Sequence, residues 1–329
     1  MKIISSDDSS FPELYSQFHQ QYSPSPYLTF NDIEYCKSYH SDYKFDNYSF
    51  LCIEQNIVVA CFVASVDRDE NNNAHLSAFR EYPAFYFERP DLSNSTQKAV
   101  NKAVKKHFDS VMTNQPVHTI QVLDSLAKGE LNTISLSLLN ENDSQATPYF
   151  TQLIDLSLNE SERKSLLRKS YKSLINWGKN NLEIQVLDSV NICWEDIESI
   201  RQLHIEVAGR ETRSCKTWEV QYDGIKASEG FAMIGKLDGK LVSASLFFYN
   251  QQNCSYAVSV SRRDFFDKPI SHALLWEAMA YAQQKGCHYF EMGEQLFPQQ
   301  GQPTDKELNI ARFKRGFGGS CTTKILINK

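Results

Sequence analysis

A lysine near the end of the chain stands in a pattern that suits acyl-transfer chemistry. Residues 310–319 read IARFKRGFGG. In a helix, Lys314 would lie four residues after Ile310 and three after Ala311, so we expect it to share their buried face. Its ammonium would either extend to the surface at the helix end or enter a cleft and stabilise an oxyanion. The spacing alone leaves both interpretations open.

Two further side chains are candidates for moving protons. We predict that Glu291 ends a strand. Strand C-termini in α/β sheets face ligand crevices, so its carboxylate could take the proton from an attacking amine. Tyr256 falls in another predicted strand and is a candidate proton donor. For each residue a structural hydrogen bond is the alternative role.

Basic residues at two places could bind anionic groups. Arg168 and Lys172 lie in a basic stretch, predicted as one helix over residues 159–178, whose charges suit phosphates of a nucleotide- or lipid-linked acceptor. Arg210 and Arg213 lie in a polar run after a predicted helix, where loops often carry binding groups. At both places the alternative is a solvated charged surface.

Several familiar sites are missing from the sequence. It contains no GxSxG elbow, no GxxxxGK[ST] loop, no HExxH and no zinc-type Cys/His spacing, so we expect no metal. The eight cysteines form no CxxC pair and are expected to be reduced thiols of a cytoplasmic protein.

Length and charge narrow the class of protein further. The 329 residues exceed what one core usually supports, which predicts two domains. Residues 1–160 carry 11 Lys and Arg against 21 Asp and Glu, whereas residues 161–329 carry 23 against 19. An anionic substrate would therefore meet the second half, and a general nucleic-acid binder is excluded. The longest apolar run, residues 57–64, is too short to span a bilayer, and we expect no signal peptide or membrane insertion.

The periodicity of apolar residues predicts a similar order of elements in both halves. In the second half it predicts helices at 195–208 and 217–225, strands at 231–235, 241–249 and 254–260, a helix at 272–285, a strand at 288–291, a helix from 305 and a strand at 321–327. In the first half it predicts strands at 48–54, 57–65 and 74–79, a helix at 95–112 and a strand at 118–123. This indicates duplication of a meander–helix–strand unit, against the alternative that any α/β protein yields some such order. We place the boundary near residues 148–158.

Four segments resemble the Fem-type (FemAB-like) transferases and related GNAT proteins. The segment 310–319 is similar to their Phe-Lys…Phe-Gly-Gly signature near the C-terminus. The run His204-x-x-x-Ala208-Gly209-Arg210, the basic stretch 159–178 and the strand ending in Tyr289-Phe290-Glu291-Met292-Gly293 are similar as well. The resemblance covers about residues 150–329, and the first half matches only in element order.

The resemblance implies a mixed α/β fold of two tandem GNAT-like (acyl-CoA N-acyltransferase) domains. The first, residues 1–150, would be degenerate, and the second, residues 151–329, would be catalytic. It implies transfer of an activated acyl group to an amine of an amino sugar, a sugar nucleotide or a cell-envelope precursor, as in surface-polysaccharide pathways. Lys314 would lie at the reacting carbonyl, with Phe313 beside it in the substrate site. No covalent enzyme intermediate is expected.

The expected donor is acyl-CoA, such as acetyl-CoA. An ordinary GNAT protein holds the CoA pyrophosphate in a glycine-containing loop at a helix N-terminus. The equivalent segment here, residues 262–272, has no glycine, which makes close backbone approach harder. Arg262, Arg263 and Lys268 would supply charge instead, and Ser271 and His272 would begin the helix. A solvated turn is the alternative.

Two other functions remain open at this point. One is an aminoacyl-tRNA-dependent ligase of the Fem type, acting in peptidoglycan cross-bridge synthesis. The acidic first half argues against a large tRNA surface, and no long helical-hairpin insertion is visible. The other is a non-catalytic binding protein on a degenerate GNAT fold.

Overall fold

The computed structural model describes residues 1–115 and 117–329, which form a mixture of strands and helices. The packing of the chain on itself defines two units. Unit 1 comprises Met1–Pro24, Leu28–Tyr149 and Thr323–Lys329, and unit 2 comprises Ser25–Tyr27 and Phe150–Thr322.

Unit 1 is built on an antiparallel meander with one parallel addition. Its elements are β1 (Lys2–Ser5), α1 (Phe11–Tyr22), α2 (Phe30–Tyr39), β2 (Phe45–Asn47), β3 (Phe50–Glu54), β4 (Ile57–Val63), β5 (Ser65–Arg68), β6 (Ala74–Ser77), β7 (Ala84–Glu88), α3 (Asn94–Asn114), β8 (Thr119–Asp124), α4 (Thr133–Leu139) and the start of β9 (Gln145–Asp155). Strands β1, β3, β4 and β7 pair antiparallel in that order, and β8 runs parallel to β7.

Unit 2 contains the rest of β9 and a further set of helices and strands. Its further elements are α5 (Glu160–Leu166), α6 (Lys169–Asn181), β10 (Glu183–Leu187), α7 (Trp194–Ala208), α8 (Cys215–Lys226), β11 (Gly230–Leu237), β12 (Lys240–Tyr249), β13 (Asn253–Ser261), α9 (His272–Gln284), β14 (Tyr289–Glu294), α10 (Asp305–Arg315) and the start of β15 (Ser320–Asn328). Strands β10 to β13 pair antiparallel in sequence order, β14 runs parallel to β13, and β9 pairs antiparallel with β14.

The two units repeat one topology. In each, a strand and two helices lead into a three-strand meander, which a helix connects to a parallel strand. The series β1, α1, α2, β3, β4, β7, α3, β8 corresponds to β10, α7, α8, β11, β12, β13, α9, β14. The element order therefore shows a duplicated unit that is larger than the one the sequence predicted.

The end of β15 completes unit 1. Residues Ile325 to Asn328 pair antiparallel with Asp124 to Gln121 of β8. Ile327 is fully buried in the apolar core of that unit, and the backbone of Lys329 exchanges two hydrogen bonds with Ile120.

The sheet of unit 2 has an apolar layer on each face. Phe247 belongs to the layer that includes α6 and α9, and its neighbour Leu246 belongs to the layer that includes α7 and α8. This alternation is what a strand covered on both faces requires. The apolar side chains on one face of the sheet thus fix how β12, β13 and β14 pack against α9.

Three predicted details are wrong. Residues 159–178 form two helices instead of one, because the chain is extended at Leu167 and Arg168 between α5 and α6. Ile310 is 44% exposed, so only Ala311 of the predicted buried pair faces the core. The third meander strand of unit 1 is β7 and not the strand at 74–79, which forms a hairpin with β5. Residues 84–87 are all buried, so no alternation of apolar and polar residues marks β7 in the sequence.

Two observations concern the part of the chain that the structure describes. None of its helices combines the length and the apolar character that crossing a bilayer requires. No three His, Cys, Asp or Glu side chains in that part come together as a metal site.

Candidate active site

The neighbouring strands β13 and β14 separate partway along their length. Their parallel ladder joins Asn253 to Tyr289, Cys254 to Phe290 and Ser255 to Glu291, and then it ends. β13 continues to Ser261 and carries a bulge, because Leu246 pairs with Val258 while Phe247 pairs with Tyr256. A bulge bends its strand and re-aims nearby side chains. A gap therefore opens beyond Ser255 and Glu291.

Hydroxyl groups form two sets of contacts along β12 and β13. The Tyr256 hydroxyl interacts with Ser245 and Ser259, and burial raises the pKa of the tyrosine. A second chain of hydroxyls joins Ser243, Ser261 and Ser271, with 2.9 Å between the oxygens at each step. Ser271 immediately precedes α9, so the chain leads from the sheet to the start of that helix.

Lys314 lies at the end of β14. Its Nζ is 3.3 Å from the carbonyl oxygen of Glu294, to which it donates. A Cβ added to Gly293 would lie 3.1 Å from the same Nζ, so the ammonium rests against the bare backbone of that glycine. Burial lowers the pKa of Lys314, and the charges of Glu294 and Glu291 oppose the shift. The ammonium thus faces the end of the strand.

Two carboxylates raise the pKa of Lys314, and Glu294 has the larger effect. Burial raises the pKa of Glu294, and the charge of Lys314 opposes the change. Glu291, the base named from sequence, is half-buried where the parallel ladder ends. Both carboxylates interact with the charge of Lys314, so the structure brings Glu291, Glu294 and Lys314 together. The sequence signal for Glu294 was its position three residues after Glu291.

The glycines of the segment 310–319 pack tightly. A Cβ on Gly316 would collide with the Tyr171 ring, and one on Gly318 would lie 2.7 Å from the carbonyl oxygen of Leu166. A Cβ on Gly319 would collide with the backbone carbonyl of Leu153. These residues let the chain after α10 approach the neighbouring backbone closely, which is a structural reason for this part of the signature.

His272 and Phe313 belong to one aromatic cluster. The His272 ring lies 4.6 Å from that of Tyr171, 5.2 Å from that of Phe313 and 6.0 Å from that of Phe317. Burial lowers the pKa of His272 to about 4. Its Nδ1 has no hydrogen-bond partner within residues 1–115 and 117–329. The imidazole is therefore neutral near pH 7 and brings no charge to a phosphate.

The segment 262–272, which we call the donor loop, borders an open groove of about 220 Å³. The end of α7 from Glu206 to Gly209 forms one wall, and Arg262, Arg263 and Asp264 form the other. Arg262 donates to the Leu241 carbonyl at 2.8 Å and forms an ion pair with Glu206. Lys268 pairs with Asp267 at 3.0 Å. Arg263 has no ion pair within the described residues, which makes it the cation of this loop most available to a ligand.

The other basic candidates have different surroundings. Arg213 stacks on the buried Trp218 ring at 3.7 Å, whereas Arg210 is exposed. The Arg168 guanidinium donates to the carbonyl of Arg312 at 2.8 Å, and Lys172 is exposed one turn further along α6. Arg168 and Lys172 thus lie on the same side of unit 2 as the end of α10.

Comparison with known proteins establishes the fold. No family model matches the chain, and no curated protein matches its sequence. FemX is 11% identical, with a TM-score of 0.72 over 99% of this chain and 97% of that one. L-PGS from Bacillus licheniformis is 12% identical, with a TM-score of 0.59 over 96% of this chain and 90% of that one. A tandem GNAT protein from the clavulanic acid biosynthesis pathway is 10% identical, with a TM-score of 0.52 over 99% of this chain and 97% of that one.

These likenesses confirm the predicted fold class. The chain has a mixed α/β fold of two tandem GNAT-like units, shared with FemX. The topology supports the same conclusion independently, because each unit has its own meander, connecting helix and parallel strand. At identities of 10–12% the likenesses concern the fold and leave the reaction to the residues of the site.

Proposed function

We propose that the chain is an N-acyltransferase that moves an acyl group from acyl-CoA to an amine of an amino sugar, a sugar nucleotide or a cell-envelope precursor. The observation that carries the proposal is the place of Lys314, whose Nζ lies 3.3 Å from the Glu294 carbonyl where β13 and β14 have separated. A GNAT-type fold and reduced cysteines support action in the cytoplasm.

The residues of the gap divide the chemistry between them. When the amine nitrogen bonds to the acyl carbon, negative charge develops on the carbonyl oxygen, and the Lys314 ammonium stabilises it. Glu294, with Glu291 beside it, takes the proton that the amine nitrogen loses. When the carbon–sulfur bond breaks, Tyr256 gives its proton to the departing thiolate. Glu294 then releases its proton to water and Tyr256 takes one from water, which restores both groups. Transfer is direct, so no bond to the protein is formed.

The basic residues would hold the anionic parts of the two substrates. The phosphates of the donor would be bound by Arg263, Lys268 and the more constrained Arg262. The backbone amides of Ser271 and His272 lie at the start of the helix that follows. Arg168 and Lys172 would face phosphates of the acceptor. Arg210 and Arg213 would bind a carboxylate or phosphate of a substrate. In this proposal the catalytic residues all belong to unit 2, and residues 1–150, most of which lie in unit 1, form the degenerate domain.

The direct test is release of free CoA thiol from a panel of acyl-CoAs when amino sugars and sugar nucleotides are added. We expect release that depends on the amine and yields an equal amount of amide. A parallel panel of aminoacyl-tRNAs covers the Fem-type alternative, which the likeness to FemX favours. Turnover with aminoacyl-tRNA alone would replace the proposed donor, and binding of acyl-CoA without turnover would support a non-catalytic role.

The pH profile of kcat should be bell-shaped. Glu294 must be deprotonated to accept a proton, so activity is lost as the pH falls through its raised pKa. Lys314 must be protonated to stabilise the oxyanion, so activity is lost as the pH rises through its lowered pKa. Replacing Glu294 by Gln should remove the acid limb, whereas the control Glu195→Gln should keep both. An acid limb that survives in Glu294→Gln assigns the base to another group, with Glu291→Gln as the next variant.

The role of the donor loop in binding acyl-CoA can be tested separately. Replacing Arg262, Arg263 and Lys268 together by Ala should raise KM for acyl-CoA about tenfold or more, because three charged contacts to phosphate are removed. The control replaces Lys216, Lys226 and Lys236, which removes the same charge from elsewhere in unit 2. Melting curves report on folding, since Arg262 also holds the Leu241 carbonyl. An unchanged KM would place the phosphates elsewhere.

A further inference from the structure

Two side chains of the α6 region hold the last turn of α10. The final carbonyls of a helix lack the usual intrahelical partners. That of Phe313 accepts from the Gly316 N–H at 3.0 Å, and side chains supply further donors. The Tyr171 hydroxyl donates to the carbonyl of Phe313 at 3.0 Å, and the Arg168 guanidinium donates to that of Arg312 at 2.8 Å. The Phe313 carbonyl belongs to the peptide group that joins Phe313 to Lys314.

The position of the Tyr171 hydroxyl is fixed by packing. Its ring is 4% exposed and lies 4.6 Å from that of His272 and 5.1 Å from that of Phe317. The ring also occupies the space over Gly316, where any Cβ would collide with it. The hydroxyl therefore has little freedom to follow the helix if α10 moves.

We infer that Tyr171 is a positioning residue, whose hydroxyl fixes the peptide plane before Lys314 and so directs the ammonium to the end of β14. This inference rests on the proposed catalytic role of Lys314. The spacing of apolar residues in α10 does not by itself direct the Lys314 side chain toward Glu294, because Ile310, one turn earlier in the helix, is exposed. Without the bond, the Phe313 carbonyl would keep only the Gly316 N–H, the peptide plane could tilt, and the ammonium would move toward solvent.

The variant Tyr171→Phe tests the inference, because it keeps the ring and removes only the hydroxyl. We expect kcat to fall about three- to tenfold, the effect of one lost hydrogen bond, with KM within about twofold. The matched control is Tyr281→Phe, which removes the 2.5 Å bond from another tyrosine hydroxyl of unit 2 to Asp188. It should leave kcat unchanged. Arg168 is left intact because it is also a candidate for binding the acceptor.

A second measurement needs no substrate. The rate at which trinitrobenzenesulfonate labels Lys314, followed by peptide mass spectrometry across pH, gives the pKa of that amine. Glu291 and Glu294 are the charged groups that face it, and both remain in the variant. We expect the midpoint to rise toward the ordinary lysine value in Tyr171→Phe and to stay in place in Tyr281→Phe.

The two measurements separate this inference from the proposed function. An unchanged labelling midpoint in Tyr171→Phe overturns the positioning role, whatever happens to kcat. A raised midpoint supports it, even if Lys314→Met then retains full activity. In that last case the positioning of the ammonium stands, and the catalytic use of it fails.

Discussion

Replacing Lys314 by Met is expected to lower kcat by about 10²–10³, which is the usual cost of losing one oxyanion donor. Methionine keeps most of the apolar stem and removes the charge, so the fold should persist. The loss should appear in kcat more than in KM, because the charge on the carbonyl oxygen exists only in the transition state. The alkaline limb of the pH profile should disappear with the ammonium.

Two companion variants sharpen this experiment. Lys314→Arg should restore little activity, because a planar guanidinium does not fit where a point charge rests against Gly293. Lys306→Met removes a lysine from the exposed first turn of the same helix and should behave as the wild type. A kcat within a few-fold of the wild-type value for Lys314→Met would remove this residue from the mechanism.

Replacing Gly319 by Ala is expected to cost about 2–4 kcal/mol of folding free energy. Gly319 has a φ of 80°, which strains any residue with a side chain, and a Cβ there would collide with the backbone carbonyl of Leu153. Backbone cannot move aside as a flexible side chain can. The unfolding midpoint in heat and in denaturant measures the effect.

The control for this variant is Gly239→Ala in the turn between β11 and β12. Gly239 has a φ of 74°, but nothing lies within 4 Å of an added Cβ. Only the backbone strain of about 1–2 kcal/mol should remain. Equal losses of folding free energy in the two variants would show that the backbone near Leu153 accommodates the added Cβ at no further cost.

The local elements of unit 2 could be predicted because their signals are local. Thr304 and Glu307 form the capping box that opens α10, and Asp238 and Gly239 both take positive φ in the hairpin turn. These features depend on residues within four positions of one another. The meander and its following helix were therefore visible in the sequence, while β1, α1, α2 and β7 in unit 1, with weaker patterns, were not.

The arrangement of the site depended on contacts that no spacing reveals. Spacing put Lys314 on a face with Ile310, yet that isoleucine is exposed, because α10 buries only Ala311. The bond between Tyr171 and the Phe313 carbonyl joins residues 142 positions apart. The family signature led to Lys314, but the partners that orient it could be found only in the folded chain.

The end of β15 has a consequence for the order in which the protein is made. The strand that pairs with β8 and buries Ile327 in the core of unit 1 is synthesised only after residues 150–322 of unit 2. The ribosome makes about 5–20 residues per second, so unit 1 waits for many seconds with the β15 side of β8 unpaired. During that interval the nascent chain exposes an edge that could pair with another chain. Removing residues 323–329 would prolong this condition indefinitely, so their loss should destabilise unit 1, although most of that unit is synthesised first.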